Sequence, residues 1–324
     1  MKNRREFLRR SGALALGSFL IPKLTDATLI SRLSKNSSGI GIQLYTANRF
    51  MGTDVKAFLE QIAAIGFTEI ESAFSPLGNY YGMKPKELAT LINDLGMKWR
   101  SHHVLGAPFS RPRPTPANQQ PQDQAPQNPP NQDQQRNQGP RNFPPMLTLR
   151  ENMQQLVDEA AEGGLEYLVC ASTPIGTIDD INASIETFQK TGEACKKAGI
   201  QFAYHNHATE FDSVEGHRPY DLILGQTDKD LVKMELDLAW AVKAGQDPAK
   251  LFEGNPGRFP LWHIKDFDLQ KDTIVRVGEG DVKFKSIFEQ SETAGLQYFF
   301  YEQDTAQSLE DVQVSFNNLK KILS

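Results

Sequence analysis

Only two cysteines, Cys170 and Cys195, occur among the 324 residues of the chain. That excludes a disulfide framework and a cysteine-built zinc site, which need several thiols at set spacings; two buried thiols are expected instead. No apolar run reaches the roughly 18 residues that a membrane-spanning helix needs. Positive charge is scarce: 35 Lys and Arg face 40 Asp and Glu, a net of −5. Residues 1–27 hold six of the basic side chains and two acids, so the rest of the chain carries −9. Phosphate neutralisation needs a basic face, so no nucleic-acid partner is expected. Aliphatic residues are missing from one long stretch. Between Phe109 and Phe143 there is no Leu, Ile, Val or Met, while 108–145 hold 11 of the 19 prolines and 119–138 hold nine glutamines. A segment with nothing to bury reads as a disordered, low-complexity insertion, 108–145, within the domain.

What is present begins with an address. Asn3-Arg4-Arg5-Glu6-Phe7-Leu8-Arg9, followed by the apolar stretch 11–21, is similar to a twin-arginine export signal spanning 1–27. Thr25-Asp26-Ala27 is a loose small-residue match to a cleavage site. The resemblance implies handling by the twin-arginine export machinery and a periplasmic location. Setting aside these 27 residues and the 38 of the insertion leaves 259 of the 324, close to the roughly 250 of a (β/α)8 barrel.

The remaining chain alternates apolar strand runs with longer helical patterns, the signature of parallel α/β structure. Strands are predicted at 40–45, 68–72, 98–103, 167–170, 201–205, 232–238, 261–265 and 298–302. Helical periodicity follows at 55–65, 86–95, 148–163, 181–198, 283–294 and 309–323, with one or two turns at 219–225 and 248–252. Several helices end in Gly before the next strand, at Gly66, Gly96, Gly199 and Gly295, as a left-handed helix end favours. Eight strands with eight connections make a closed (β/α)8 TIM barrel the economical fold, with one domain over 39–323. An open doubly wound sheet is disfavoured because no G-x-G-x-x-G follows the first strand.

Residues at the C-terminal ends of barrel strands face the catalytic mouth, and here nearly every end is polar. Gln43 and Tyr45 close strand one, Glu71 strand two, and His102-His103 strand three. His205-Asn206-His207 close strand five, with Glu210 beyond. Glu235 and Asp237 share one face of strand six, His263 and Lys265 one face of strand seven, and Glu302 ends strand eight. Five of the six histidines thus fall at strand ends. Unpaired ions buried there would each cost on the order of several kcal/mol; a divalent cation among them removes that cost. Mixed imidazole and carboxylate donors suit zinc, manganese or iron better than calcium.

Tyr204-His205-Asn206-His207 with Glu210, Glu235-Leu236-Asp237-Leu238-Ala239-Trp240, His263-Ile264-Lys265-Asp266, Gly278-Glu279-Gly280-Asp281 and Tyr301-Glu302-Gln303-Asp304 together resemble the xylose-isomerase-like barrel family, which includes sugar phosphate isomerase/epimerase-like proteins. The resemblance implies one divalent metal (Mn, Zn, Fe or Co) held by a strand-five residue, Asp237, His263 and Glu302. The family's strand-five Glu is replaced here by His205, which departs from the two-glutamate pair of the epimerases. The expected chemistry is proton transfer beside a sugar carbonyl, through an enediolate, on an unphosphorylated sugar. In it Glu302 or His207 moves the C–H proton, Lys265 stabilises or protonates oxygens, and His205 binds metal or moves a proton. Gln43, Tyr45, Glu71, His103, Trp240 and Glu235 would shape the substrate pocket, Trp240 by stacking on a sugar face. The alternatives are a lyase or hydrolase on 3-keto-glycosides, using the same C–H abstraction, and a non-catalytic sugar-binding barrel.

Overall fold

The computed structural model describes residues 39–108 and 146–324; the signal-like segment 1–27 and all of the 108–145 insertion except Pro108 lie outside the described residues. Seven parallel strands come first: β1 (Gly41–Gln43), β2 (Glu69–Ala73), β3 (Lys98–Leu105), β4 (Tyr167–Ser172), β5 (Gln201–His205), β6 (Val232–Asp237) and β7 (Leu261–Ile264). A short antiparallel hairpin, β8 (Asp266–Asp268) with β9 (Thr273–Val275), interrupts the seventh connection. The last strand, β10 (Tyr298–Tyr301), pairs with β7 on one side and β1 on the other, which closes an eight-stranded parallel barrel. The chain forms the α/β barrel expected of it.

The helices are α1 (Val55–Ile65), α2 (Pro85–Asp94), α3 (Leu149–Glu162), α4 (Ile178–Ala198), α5 (Pro219–Gln226), α6 (Leu238–Lys243), α7 (Pro248–Gly254), α8 (Phe284–Phe288), α9 (Ser291–Ala294) and α10 (Leu309–Leu323). The local signals in α1 are typical. Asp54 accepts from the Ala57 N–H at 3.0 Å and caps its start, a contact whose loss costs about 1 kcal/mol. Val55, Phe58, Leu59 and Ile62 bury one face against the barrel, each worth about 1.5–3 kcal/mol when fully removed from water. At the end of α4, Gly199 takes φ 79°, a left-handed turn that frees the chain to enter β5.

Most boundaries differ from the sequence-based expectation by a residue or more, and the helix Leu238–Lys243 and the hairpin were not expected; three of the differences have a clear local cause. Strand one stops at Gln43, because its side-chain oxygen accepts the Tyr45 N–H at 3.0 Å and turns residues Leu44–Ala47 into a 3-10 turn. Tyr45 therefore leaves the barrel wall and is 41% exposed. Strand three continues to Leu105, and its pairing with β2 shifts by one residue at Arg100. The helix expected at 283–294 is two short helices, broken where the Gln290 N–H turns back to the Ile287 carbonyl.

Strand alternation sorts side chains into two populations. Ile42, Ile70, Leu168, Phe202, Met234, Trp262 and Phe299 point out into the main core under the helices. Their neighbours point into the lumen, where Tyr167, Val169, Ala203, Leu261 and Phe300 form a separate apolar layer. A Cβ on Gly41 would come within 2.4 Å of Phe300, so a glycine is needed where β1 passes this layer. The apolar layer is the floor on which the polar upper lumen stands.

Candidate metal centre

Above that floor the inward positions become ionisable. Glu71 on β2, Ser101 and His103 on β3, His205 on β5, Glu235 and Asp237 on β6 and His263 on β7 all point inward, with Lys265 and Glu302 just past their strands; all are buried. The shift at Arg100 is a β-bulge, which adds one residue to a strand and re-aims the side chains beside it. It lets Arg100 reach Glu69 while Ser101, one residue on, still donates to Glu71 at 2.6 Å.

The side chains lie in two levels joined by His263. In the lower level Glu71 accepts from Gln43 at 2.9 Å, from Ser101, and from His263 Nε2 at 2.6 Å. Glu235 faces His103 Nε2 at 2.6 Å and His205 Nδ1 at 3.2 Å. In the upper level His263 Nδ1 faces Glu302 at 2.7 Å and Asp237 at 3.9 Å. Lys265 Nζ bridges Asp237 (3.1 Å), Glu302 (2.9 Å) and Asp304 (2.8 Å).

Such packing distorts ordinary acidities. Burial opposes charge on His263, but Glu235, Glu302 and Glu71 overcome it and hold the ring protonated. Against the same opposition, Glu71 and Glu235 push His103 up to about 9. Burial also opposes ionisation of Glu302 and Glu71, yet both stay ionised: Lys265 and His263 depress the first, His103 and His263 the second. Burial, reinforced by Glu71, raises Glu235. Burial pushes His205 well down, toward the neutral ring that a metal ligand requires. Glu71, Asp237 and Glu302 are thus balanced by Lys265, His103 and His263. A divalent ion taking the place of the two imidazole protons would keep that balance.

The donor atoms of His205, Asp237, His263 and Glu302 lie within 4.8 Å of one another, as do those of His103, His205, Glu235 and His263. Two imidazoles and two carboxylates fit a first-row divalent ion. Lys265 in the upper level is the protein's own cation among these carboxylates.

The rim of this lumen is aromatic and braced. The His207 side chain is 43% exposed, with its ring 6.2 Å from Trp240, and Lys265 Nζ lies 5.0 Å from the Trp240 ring centre. Glu210 is buried and accepts the His207 N–H at 2.9 Å and the Tyr204 hydroxyl at 3.0 Å, which fixes the turn carrying His207. Asn206 accepts the Asp237 N–H at 3.2 Å, and Asp237 Oδ1 accepts the Trp240 N–H at 2.9 Å. Asp266 closes the other side, its carboxylate accepting N–H groups from Gly278 at 2.8 Å, Gly280 at 3.0 Å and Val282 at 3.2 Å.

The profile of the xylose isomerase-like TIM barrel family matches residues 59–314. The chain belongs to that family. Among curated proteins it is 25% identical over 169 residues to an inosose dehydratase of Lacticaseibacillus casei, 46% of this chain and 56% of the relative. The chain thus spans about half the length of the curated relatives it matches. Among solved structures it resembles a sugar phosphate isomerase/epimerase of Parabacteroides distasonis, at 25% identity and a TM-score of 0.65, over 88% of this chain and 95% of that one. The IOLI protein with its bound zinc atom shares the fold, at 14% identity and a TM-score of 0.62, over 88% and 98% of the two chains.

Within this family member, the four residues expected to hold metal (His205, Asp237, His263 and Glu302) come together as one group. Lys265 joins them, and His207 and Trp240 stand at the rim. Gln43, Glu71, His103 and Glu235, expected to shape the substrate pocket, lie in the lower level bonded to protein partners, with only Glu235 Oε1 among their carboxylate oxygens left without a hydrogen bond. Tyr45 comes from the 3-10 turn rather than a strand end. His102, next to His103, points the other way: its Nδ1 lies 2.8 Å from the Ser72 hydroxyl and its ring 4.6 Å from Tyr80. Burial drives its imidazole down to about 3, a neutral core histidine. Sequence reasoning missed Ser101, although strand alternation puts it on the same face as His103 two residues on. It also gave Asn206 no role, though its place between two histidines was a usable signal.

Proposed function

We propose that this barrel is a divalent-metal-dependent enzyme that moves a proton beside the carbonyl of an unphosphorylated sugar, through an enediolate. The observation that carries this is the convergence of His205, Asp237, His263 and Glu302 at the C-terminal mouth. These four would hold the ion, and the chemistry it supplies when bound is Lewis acidity toward neighbouring sugar oxygens. The remaining steps belong to side chains. Either His207, exposed at the rim and held by Glu210, or Glu302 would take the C–H proton. Lys265, held charged by its carboxylates, donates to substrate oxygens. Trp240 offers an apolar face for the ring of the sugar.

Two considerations support an unphosphorylated substrate. The backbone N–H groups of Gly278 and Gly280, in the loop region where barrels often seat a phosphate, are occupied by the chain's own Asp266. A periplasmic location, proposed from the twin-arginine-like segment, would also favour a free sugar or glycoside. Elimination is the second reading, favoured by the inosose dehydratase relatives and by His205 standing where a two-glutamate epimerase has Glu; a 3-keto-glycoside would be its substrate.

Elemental analysis of wild type and Asp237→Asn tests the proposal. About one equivalent of zinc, manganese, iron or cobalt is expected in wild type and little in the variant, with turnover lost alongside. Product mass then separates isomerisation, which conserves it, from elimination, which releases water or an aglycone. Sugar binding without any metal, even after reconstitution, would reduce the protein to a binding barrel.

A further inference from the structure

The upper lumen offers two overlapping donor sets, and His263 belongs to both. A neutral imidazole carries one N–H, so its partners decide which nitrogen donates and which offers a lone pair. On His263 those partners differ in their freedom. Glu71, on Nε2 at 2.6 Å, is fully buried and pinned by Ser101 at 2.6 Å and Gln43 at 2.9 Å. Asp237 and Glu302, on the Nδ1 side, instead face the ring through the same oxygens that they share with the Lys265 ammonium. The lower space between the rings is also crossed by the 2.6 Å contact of His103 Nε2 with Glu235.

We propose that Glu71 is a positioning residue for the metal seat: fixed by Ser101 and Gln43, its carboxylate accepts the Nε2–H of His263 and commits Nδ1 to the ion held with Asp237, Glu302 and His205. This rests on the metal-dependent function proposed above. It assigns the ion to the upper set and makes the lower level a support, as carboxylates behind metal-bound histidines commonly are. The lower set is the competing seat, and Glu235 Oε1, buried without a hydrogen-bond partner, is the feature that speaks for it.

Cobalt(II) titration of the full chain, followed by heat and by visible absorption, decides between them. Glu71→Gln should weaken cobalt binding about 10–100-fold while its spectrum at saturation matches wild type, since the ligands are unchanged. Ser101→Ala, which only loosens Glu71, should weaken binding in the same direction by less, and serves if Glu71→Gln does not fold. His103→Gln should keep the wild-type spectrum. Wild-type affinity in both Glu71→Gln and Ser101→Ala would overturn the proposal. So would a changed saturated spectrum in His103→Gln, which would put the ion in the lower set, or in Glu71→Gln, which would make Glu71 itself a ligand. Wild type taking up no divalent ion at all would instead overturn the function itself, before any variant is compared.

Discussion

The two ends of the barrel lumen use buried charge in opposite ways. At the N-terminal end Arg100 pairs with Glu69 and Glu166 and lies 4.5 Å from the Tyr298 ring centre, with Arg100 and Glu166 still touching water. Opposite charges meet directly there, and no histidine takes part. At the C-terminal end several carboxylates are fully enclosed, and their balance depends on protons held by His103 and His263. The first arrangement closes the barrel; the second keeps charge that a ligand can exchange for protons. Between them lies the apolar layer of Tyr167, Val169, Ala203, Leu261 and Phe300, which separates stability below from binding above.

Breaking the layer should show this separation most strongly. Phe300→Ala leaves a cavity in the lumen and should cost about 3–5 kcal/mol, read by denaturant unfolding. Metal stoichiometry at saturation should stay at the wild-type value, because no donor is removed. Loss of the metal with stability intact would mean that the floor and the seat are one unit.

The upper level should also reveal itself through pH in the chelator-treated protein. Folded His103 holds its proton up to about 9, above the ordinary 6.5. Between those values the folded state binds more protons than the unfolded chain, so stability present below 6.5 is lost as pH rises toward 9. Glu235, raised to about 7 from 4.5, acts in the same direction over its own lower window. The loss across pH 6.5–9 should be about 3 kcal/mol, and His103→Gln should flatten most of it. An unchanged slope in that variant would show that the proton is held elsewhere. Glu71 and Glu302, whose carboxyls are depressed, act at the acid end, where their stabilisation is lost as pH falls below the usual carboxylate range.

The barrel and the upper donors were legible because strand alternation and strand-end chemistry are local signals. Asp237, His263 and Glu302 each sit at or beside the end of an apolar run, where an ionisable residue is conspicuous. The two-level arrangement was not legible. Glu71 and Glu302 are both strand-end acids in the sequence; only three-dimensional depth and the bulge at Arg100 make one a support and the other a donor. Tyr45 was misplaced on a strand because the turn depends on Gln43 bonding back to its own backbone. The signal-like segment was read from its resemblance to a twin-arginine motif and the insertion from composition, and both lie, Pro108 apart, outside the described residues.

The smallest expected effect sharpens the comparison from below. Tyr298 contributes two separable things at the N-terminal end: a ring beside Arg100 and a hydroxyl that donates to Glu166 at 2.8 Å. Tyr298→Phe keeps the ring and removes only the hydroxyl. Its partner, Glu166, stays half-exposed and can turn to water, so no buried charge is orphaned. The cost should be about 0.5–1 kcal/mol, seen as a slightly lower midpoint with an unchanged denaturant slope. Cobalt affinity, its spectrum and the pH slope should all match wild type. A shift in any of these would mean that the two ends of the lumen are coupled through the apolar layer, and that the N-terminal ion pairs help to set the metal seat as well as the fold.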